Sequence, residues 1–125
     1  MLLGQTLDGM RVWDIRRAIQ ACRGLPGLGA RPLWLEAGGV MAGNAVYASL
    51  FEPGIARLDL HDLPATHRDG PIYLNVSRFL TMPQAVAMAA EKAKVRIFGP
   101  PSEEWSFLSR AAGALAWPED QVQWQ

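Results

Sequence analysis

One segment of the chain has the spacing of a turn that presents a catalytic nucleophile. Gly39-Val40-Met41-Ala42-Gly43 matches the pattern Gly-x-Ser-x-Gly, in which a strand bends sharply into a helix and exposes the central side chain. Glycines suit this bend because larger side chains would collide with the flanking strand and helix. Met41 stands where the pattern has serine, and a thioether carries no proton that a base could remove. The segment therefore predicts the geometry of a nucleophile site without the nucleophile.

The same turn could instead bind an anion, because the first N–H groups of a helix point outward and attract negative charge. Gly39, Ala42 and Gly43 would form this oxyanion or anion site. The segment lacks the Lys-Ser/Thr pair of a phosphate-binding loop and the glycine spacing of a dinucleotide fingerprint. Phosphate binding is therefore the lesser expectation, and Met41 is expected to be an apolar residue near a helix start or in a ligand pocket.

Both histidines of the chain follow a predicted strand, in a segment that also contains aspartates. These residues are Asp59, His61, Asp62 and His67. Ligands of α/β sheets bind where the strands end, and Asp62 with His67 could form a general-base pair there. Asp59 and His61 are weak candidates for metal ligands, since the spacing matches no metal motif. We expect turn and capping roles for these residues, and we expect no metal and no cofactor.

The elements that must position these residues alternate along the chain. Apolar periodicity and turn residues predict helices over 8–23, 42–51, 83–92 and 103–116, and strands over 33–35, 55–60, 95–98 and 121–124. Alternation of this kind predicts an α/β fold: a three-layer αβα arrangement with a parallel sheet of about four strands and helices on both faces. Residues 1–125 are expected to form a single domain.

From about Leu7 to Gln125 the sequence resembles the C-terminal half of an α/β-hydrolase of the acetyl-xylan-esterase and prolyl-oligopeptidase-like kind. The segment over 7–14 is similar to the helix before the elbow strand of that family, and the segment over 45–48 to the helix after it. Asp69-Gly70-Pro71 and Asn75-Val76 fall where the family has the loop after the next strand. The resemblance implies a partial α/β-hydrolase fold.

The resemblance also implies that the catalytic triad is incomplete. The family's acid follows the next-to-last strand, where Glu103 or Glu104 could serve, but no histidine follows His67 and Met41 replaces the serine. We therefore expect a hydrolase-like domain that lacks ordinary serine-hydrolase activity and has a structural, binding or assembly role. Two alternatives stay open: an ester or peptide hydrolase that uses Asp62, His67 and Glu103 or groups from a partner chain, and a small-anion binder.

The net charge and the expected pairing of the strands indicate which partners the protein could bind. Twelve basic and twelve acidic residues give zero formal net charge, so no field favours nucleic acid or an anionic membrane surface. With no signal peptide or membrane-spanning run visible, the cytoplasm is the default expectation, and Cys22 as the single cysteine excludes an internal disulfide. A half-hydrolase sheet would leave the strand over 33–35 without a neighbour on one side. We therefore expect a homodimer or pairing with a missing N-terminal half.

Overall fold

A computed structural model describes residues 6–125, and residues 1–5 of the expected domain lie outside it. The described residues form helices that alternate with strands. The helices are α1 (Leu7–Arg23), α2 (Val40–Phe51), α3 (Met82–Ala90) and α4 (Ser106–Ala114), and the strands are β1 (Leu33–Gly38), β2 (Ile55–His61), β3 (Lys94–Phe98) and β4 (Val122–Trp124). Short 3-10 turns cover Val76–Arg78 and Glu103–Trp105. No helix in this range is long and apolar enough to cross a membrane.

The four strands form one sheet in the order β1-β2-β3-β4, and every neighbouring pair is parallel. The α/β class and the four-stranded parallel sheet are therefore confirmed. Within residues 6–125, β1 pairs only with β2, so β1 and the three-residue β4 are the two edges of the sheet. The strand before the glycine-rich bend is thus an edge strand of the described sheet.

The layering differs from the expectation of helices on both faces. Right-handed crossovers that always step to the next strand in one direction place their helices on the same face. In agreement, α1 packs against α2, α2 against α3, and α3 against α4. Leu58, Leu60 and Val95 are buried beneath this helical layer, whereas Trp34 and Glu36 on alternate positions are exposed. The three-layer arrangement is therefore corrected, for the described residues, to two layers with one open sheet face.

The core lies between the sheet and α2, the helix that packs between α1 and α3. Ala42 through Ser49 are all buried, which explains why this helix has small and apolar residues on every side. Helix α3 begins with a capping box in which Thr81 and Gln84 satisfy each other's backbone N–H groups, with Pro83 in the first turn. The buried apolar side chains of the helices and the inner sheet face join in one cluster.

Candidate functional site

The bend between β1 and α2 is made by Gly39 rather than by Met41. Gly39 has φ 58° and ψ −136°, directly after the last residue of β1 and before the first residue of α2. Its N–H donates to the carbonyl of His61, which holds the bend against β2 at 2.9 Å. Backbone at positive φ strongly favours glycine. The expectation that Met41 stands at the bend is therefore wrong, and the bend residue has no side chain.

Met41 lies in the first turn of α2, and the residue is 38% exposed. Its Sδ accepts a weak hydrogen bond of 3.5 Å from the amide of Asn44. The Gly-x-Ser-x-Gly spacing indicated the wrong residue as the centre of the bend, because Gly43 belongs to the helix and does not flank the bend. Gly43 is buried against Pro71, so its lack of a side chain serves close packing.

The anion site expected at Gly39, Ala42 and Gly43 has two of its donors already engaged. The N–H of Gly39 donates to His61, and the N–H of Ala42 donates to the carbonyl of Gly39 at 3.0 Å. Ala42 is also fully buried. An oxyanion or phosphate at this position would have to displace both internal hydrogen bonds.

His67 is held by a hydrogen bond at each ring nitrogen. Its Nδ1 lies 3.2 Å from the carbonyl of Pro71, and because a carbonyl only accepts, Nδ1 carries the proton. When the ring is neutral, Nε2 accepts from the hydroxyl of Tyr47 at 2.9 Å. Burial raises the pKa of Tyr47 to about 12, so this hydroxyl stays protonated at neutral pH. His67 therefore has no free lone pair with which to act as a general base.

The general-base pair that Asp62 and His67 could form is not present in the structure. Asp62 is exposed at φ 48°, and its N–H donates to the carbonyl of Phe98 at 3.0 Å. No hydrogen bond joins the two side chains among residues 6–125. Asp62 acts instead as a turn residue after β2, which agrees with the expectation of turn roles for this segment.

Glu103 and Glu104 lie in the 3-10 turn before α4, and both are exposed. Together with His67 and Arg110 they line an open groove of about 670 Å³. The structure thus brings the predicted acid residues and the predicted base to one groove. No hydrogen bond within the described chain connects either glutamate to His67, whose ring nitrogens are used elsewhere.

The open face of the sheet contains a network of aromatic and charged side chains. The guanidinium of Arg57 lies 4.4 Å from the ring centroid of Trp34, and its Nε donates to Asp59 at 2.7 Å. His61 lies 3.0 Å from Glu36 and stacks on Phe98 with ring centroids 4.3 Å apart. Alternation along β1, β2 and β3 brings these residues to one face. The sequence interpretation missed this network because it assumed a helical layer over it.

Asp59 and His61 are both part of this network. The hydrogen bond from Arg57 holds the pKa of the Asp59 carboxyl below its usual value, since it stabilises the charged form. Among the described residues no group of three or more His, Cys, Asp or Glu side chains is placed to hold a metal ion. The structure gives no support to Asp59 and His61 as metal ligands.

A buried polar cluster joins α1, α2 and the loop after β2. Asn44, fully buried, donates to Asp8 Oδ1 at 3.0 Å and accepts from the hydroxyl of Tyr73. Asp8 Oδ2 accepts the N–H of Ile72 at 2.9 Å. Asp8 is free for these contacts because Thr6, and not Asp8, caps α1 by accepting from the N–H of Gly9 at 3.0 Å. Asn44, among the small and mostly apolar residues over 42–51, was the sequence signal for this cluster.

The Asp8 carboxylate makes the stability of the fold sensitive to acid. Burial acts to raise its pKa, but hydrogen bonds from Ile72, Asn44 and Arg11 outweigh burial and keep the pKa below the usual value. A depressed folded-state pKa stabilises the fold above the unfolded-state pKa of about 4, and this stabilisation is lost as the pH falls through the folded-state value.

We therefore expect the Asp8→Asn variant to be less stable than the unmodified chain near pH 7. The gap should shrink as the pH falls below about 4. Urea unfolding at a series of pH values measures this gap. A gap that is constant from pH 7 to pH 3 would exclude a charged Asp8 as its source.

No protein-family model matches the chain, and neither the curated proteins nor the solved structures contain a match to it. The resemblance to the C-terminal half of an α/β-hydrolase therefore stays an interpretation of the sequence. The site has to be judged on its own geometry.

Proposed function

We propose that this chain is a non-catalytic, α/β-hydrolase-like domain that acts by binding and assembly. The observation that carries the proposal is Gly39 at the strand–helix bend. In a nucleophile elbow this bend presents the attacking side chain, and glycine has none to present. A change of the neighbouring Met41 to any other residue would not place a nucleophile at the bend itself.

The surroundings of the bend support the same conclusion. A serine-type reaction needs a base with a free lone pair within hydrogen-bonding reach of the nucleophile. His67 uses both ring nitrogens in contacts with Tyr47 and Pro71, and His61 faces Glu36 on the open sheet face.

The open sheet face supports a binding role. Parallel sheets are normally covered on both faces, because their connections place helices there. Here the second face presents Trp34, a residue that is 65% exposed, beside the charged residues Arg57 and Glu36. Tryptophan and arginine are enriched where proteins bind one another, so Trp34 beside Arg57 fits a surface that another macromolecule covers.

Reaction with a fluorophosphonate probe and turnover of p-nitrophenyl acetate test the proposal. We expect no covalent labelling and no turnover above the rate of a heat-denatured sample, over a range of protein concentrations that would also reveal a site completed by a second copy. The Gly39→Ser variant is the matched control, because it restores a hydroxyl at the bend but no base. Labelling or turnover by the unmodified chain would contradict the proposal and favour a hydrolase with other catalytic groups.

A further inference from the structure

We propose that β1 pairs antiparallel with β1 of a second copy about a two-fold axis, with Leu35 opposite Leu35, to give a continuous eight-stranded sheet. The proposal deepens the assembly role and rests on it for its biological meaning, although its geometry is argued independently. Strand β1 is the longer of the two edges, with six residues against three in β4. An exposed edge of this length is a template for another strand.

The direction of the free backbone groups on β1 follows from one hydrogen bond. The N–H of Gly39 donates to His61 on β2, so the backbone groups of Gly39 face β2. Because successive residues of a strand direct these groups to opposite sides, those of Leu35 and Ala37 also face β2. The N–H and C=O groups of Trp34, Glu36 and Gly38 therefore face outward along the open edge, and only these can bond to a second copy.

Because only these residues have outward-facing backbone groups, few registers are compatible with a two-fold axis. The centre of a register is the residue that lies opposite its own copy. A centre at Glu36 would oppose two carboxylates, which is destabilising. A centre at Trp34 would oppose Glu36 to Pro32, which has no N–H to donate. A centre at Ala37 overlaps only the strand residues 36–38. A centre at Leu35 pairs Trp34 with Glu36 of the second copy twice, and each pair can exchange both backbone hydrogen bonds. Pro32 then lies opposite Gly38, beyond these two central pairs, so its missing N–H removes no bond from them.

The side chains are self-complementary in the Leu35 register. Opposed residues on one face of a sheet have Cβ atoms about 5 Å apart, so Glu36 of each copy would lie next to Trp34 of the other. The guanidinium of Arg57 lies over that tryptophan ring at 4.4 Å. Each carboxylate, 72% exposed in the single chain, therefore meets a cation of the other copy. On the helical face, Leu35 would meet Leu35 and extend the apolar layer.

Disulfide cross-linking distinguishes the registers. Cys22 is exposed and must first be replaced, so the single-cysteine variants Trp34→Cys, Leu35→Cys and Glu36→Cys are made in a Cys22→Ser background. Residues opposed without mutual hydrogen bonds have Cα atoms about 4.5 Å apart, within the range of a disulfide. We expect Leu35→Cys alone to form a covalent dimer. Trp34→Cys and Glu36→Cys should cross-link only when the two are mixed. Preferential self-linking at position 34 or 36, or no linking at all, would overturn the proposal.

Light scattering of the chain without introduced cysteines gives a second readout that does not depend on residue 35. We expect a mass of twice the 13.7 kDa of one chain at micromolar concentration. Glu36→Lys should raise the dimer dissociation constant by roughly tenfold or more, because both cross-strand attractions become repulsions. Glu91→Lys, at the exposed end of α3, is the matched control and should leave it unchanged.

The experiments distinguish a failure of the β1 pairing from a failure of the proposed non-catalytic function. A monomer that neither cross-links nor reacts with the probe would overturn the pairing of β1 alone. A dimer that reacts with the fluorophosphonate probe would overturn the non-catalytic role and leave the pairing in place.

Discussion

Replacement of Asn44 by alanine is expected to lower the free energy of unfolding by about 3 kcal/mol, because it removes the centre of the buried polar cluster. Asn44 is fully buried, with a donor to Asp8 and an acceptor for Tyr73. Alanine would leave the Tyr73 hydroxyl without its acceptor, would take one of the donors from the Asp8 carboxylate, and would leave a small cavity. Urea unfolding followed by tryptophan fluorescence, at one protein concentration for all variants, measures the loss.

Tyr73→Phe provides the graded comparison for this prediction. It removes only the hydroxyl that donates to Asn44, so its expected cost is about 1 kcal/mol. Burial raises the pKa of Tyr73, so the hydroxyl is neutral at any working pH and no charge is lost. An Asn44→Ala cost no larger than that of Tyr73→Phe would mean that the cluster does not hold the loop to the two helices.

Gly43→Ala is the second substitution with a large expected effect, despite adding one methyl group to a helix. A Cβ at this position would lie 2.7 Å from Cγ and from Cδ of Pro71, and 3.5 Å from Cε of Met82. The proline ring is rigid and buried, so the helix and the loop must separate. Overpacking of this kind costs about 1–3 kcal/mol, which outweighs the gain of up to about 1 kcal/mol in helix propensity.

Gly113→Ala on α4 is the matched control, because a Cβ there meets no atom within 4 Å. That variant should be stabilised by about 0.5–1 kcal/mol through helix propensity alone. The two substitutions make the same chemical change in two helices, so opposite signs of the stability change isolate the contact with Pro71. Equal signs would show that the close approach of α2 to the loop does not constrain residue 43.

The sequence predicted the elements of the fold better than their layering. Alternating apolar segments and turn residues indicated all four strands and helices, since each of these patterns is local. The helical layer was expected on both faces because parallel sheets usually have it. The position of each helix depends on the order of the strands, and no local pattern encodes that order. The polar residues Arg57, Asp59 and His61 at alternating positions of β2 were the sequence sign of an open face.

The candidate site was predicted only in part, for reasons that lie in backbone geometry. The Gly-x-x-x-Gly spacing identified the right segment, but two adjacent glycines precede α2 and the pattern does not tell which one bends. Only the dihedral angles single out Gly39. Similarly, the sequence shows that His67 is present but not that Tyr47 and Pro71 occupy both of its nitrogens, since these contacts bring distant segments together.

The consecutive order of the strands has a consequence for how the chain assembles. Each strand joins the sheet beside the one that precedes it in the chain, so no strand has to be inserted between two that have already paired. Each pairing closes one crossover connection rather than a longer loop that spans several strands, and shorter loops cost less entropy to close. Growth of the sheet can therefore follow the direction of ribosomal synthesis, with β1 as the first edge laid down and β4 as the last strand to dock.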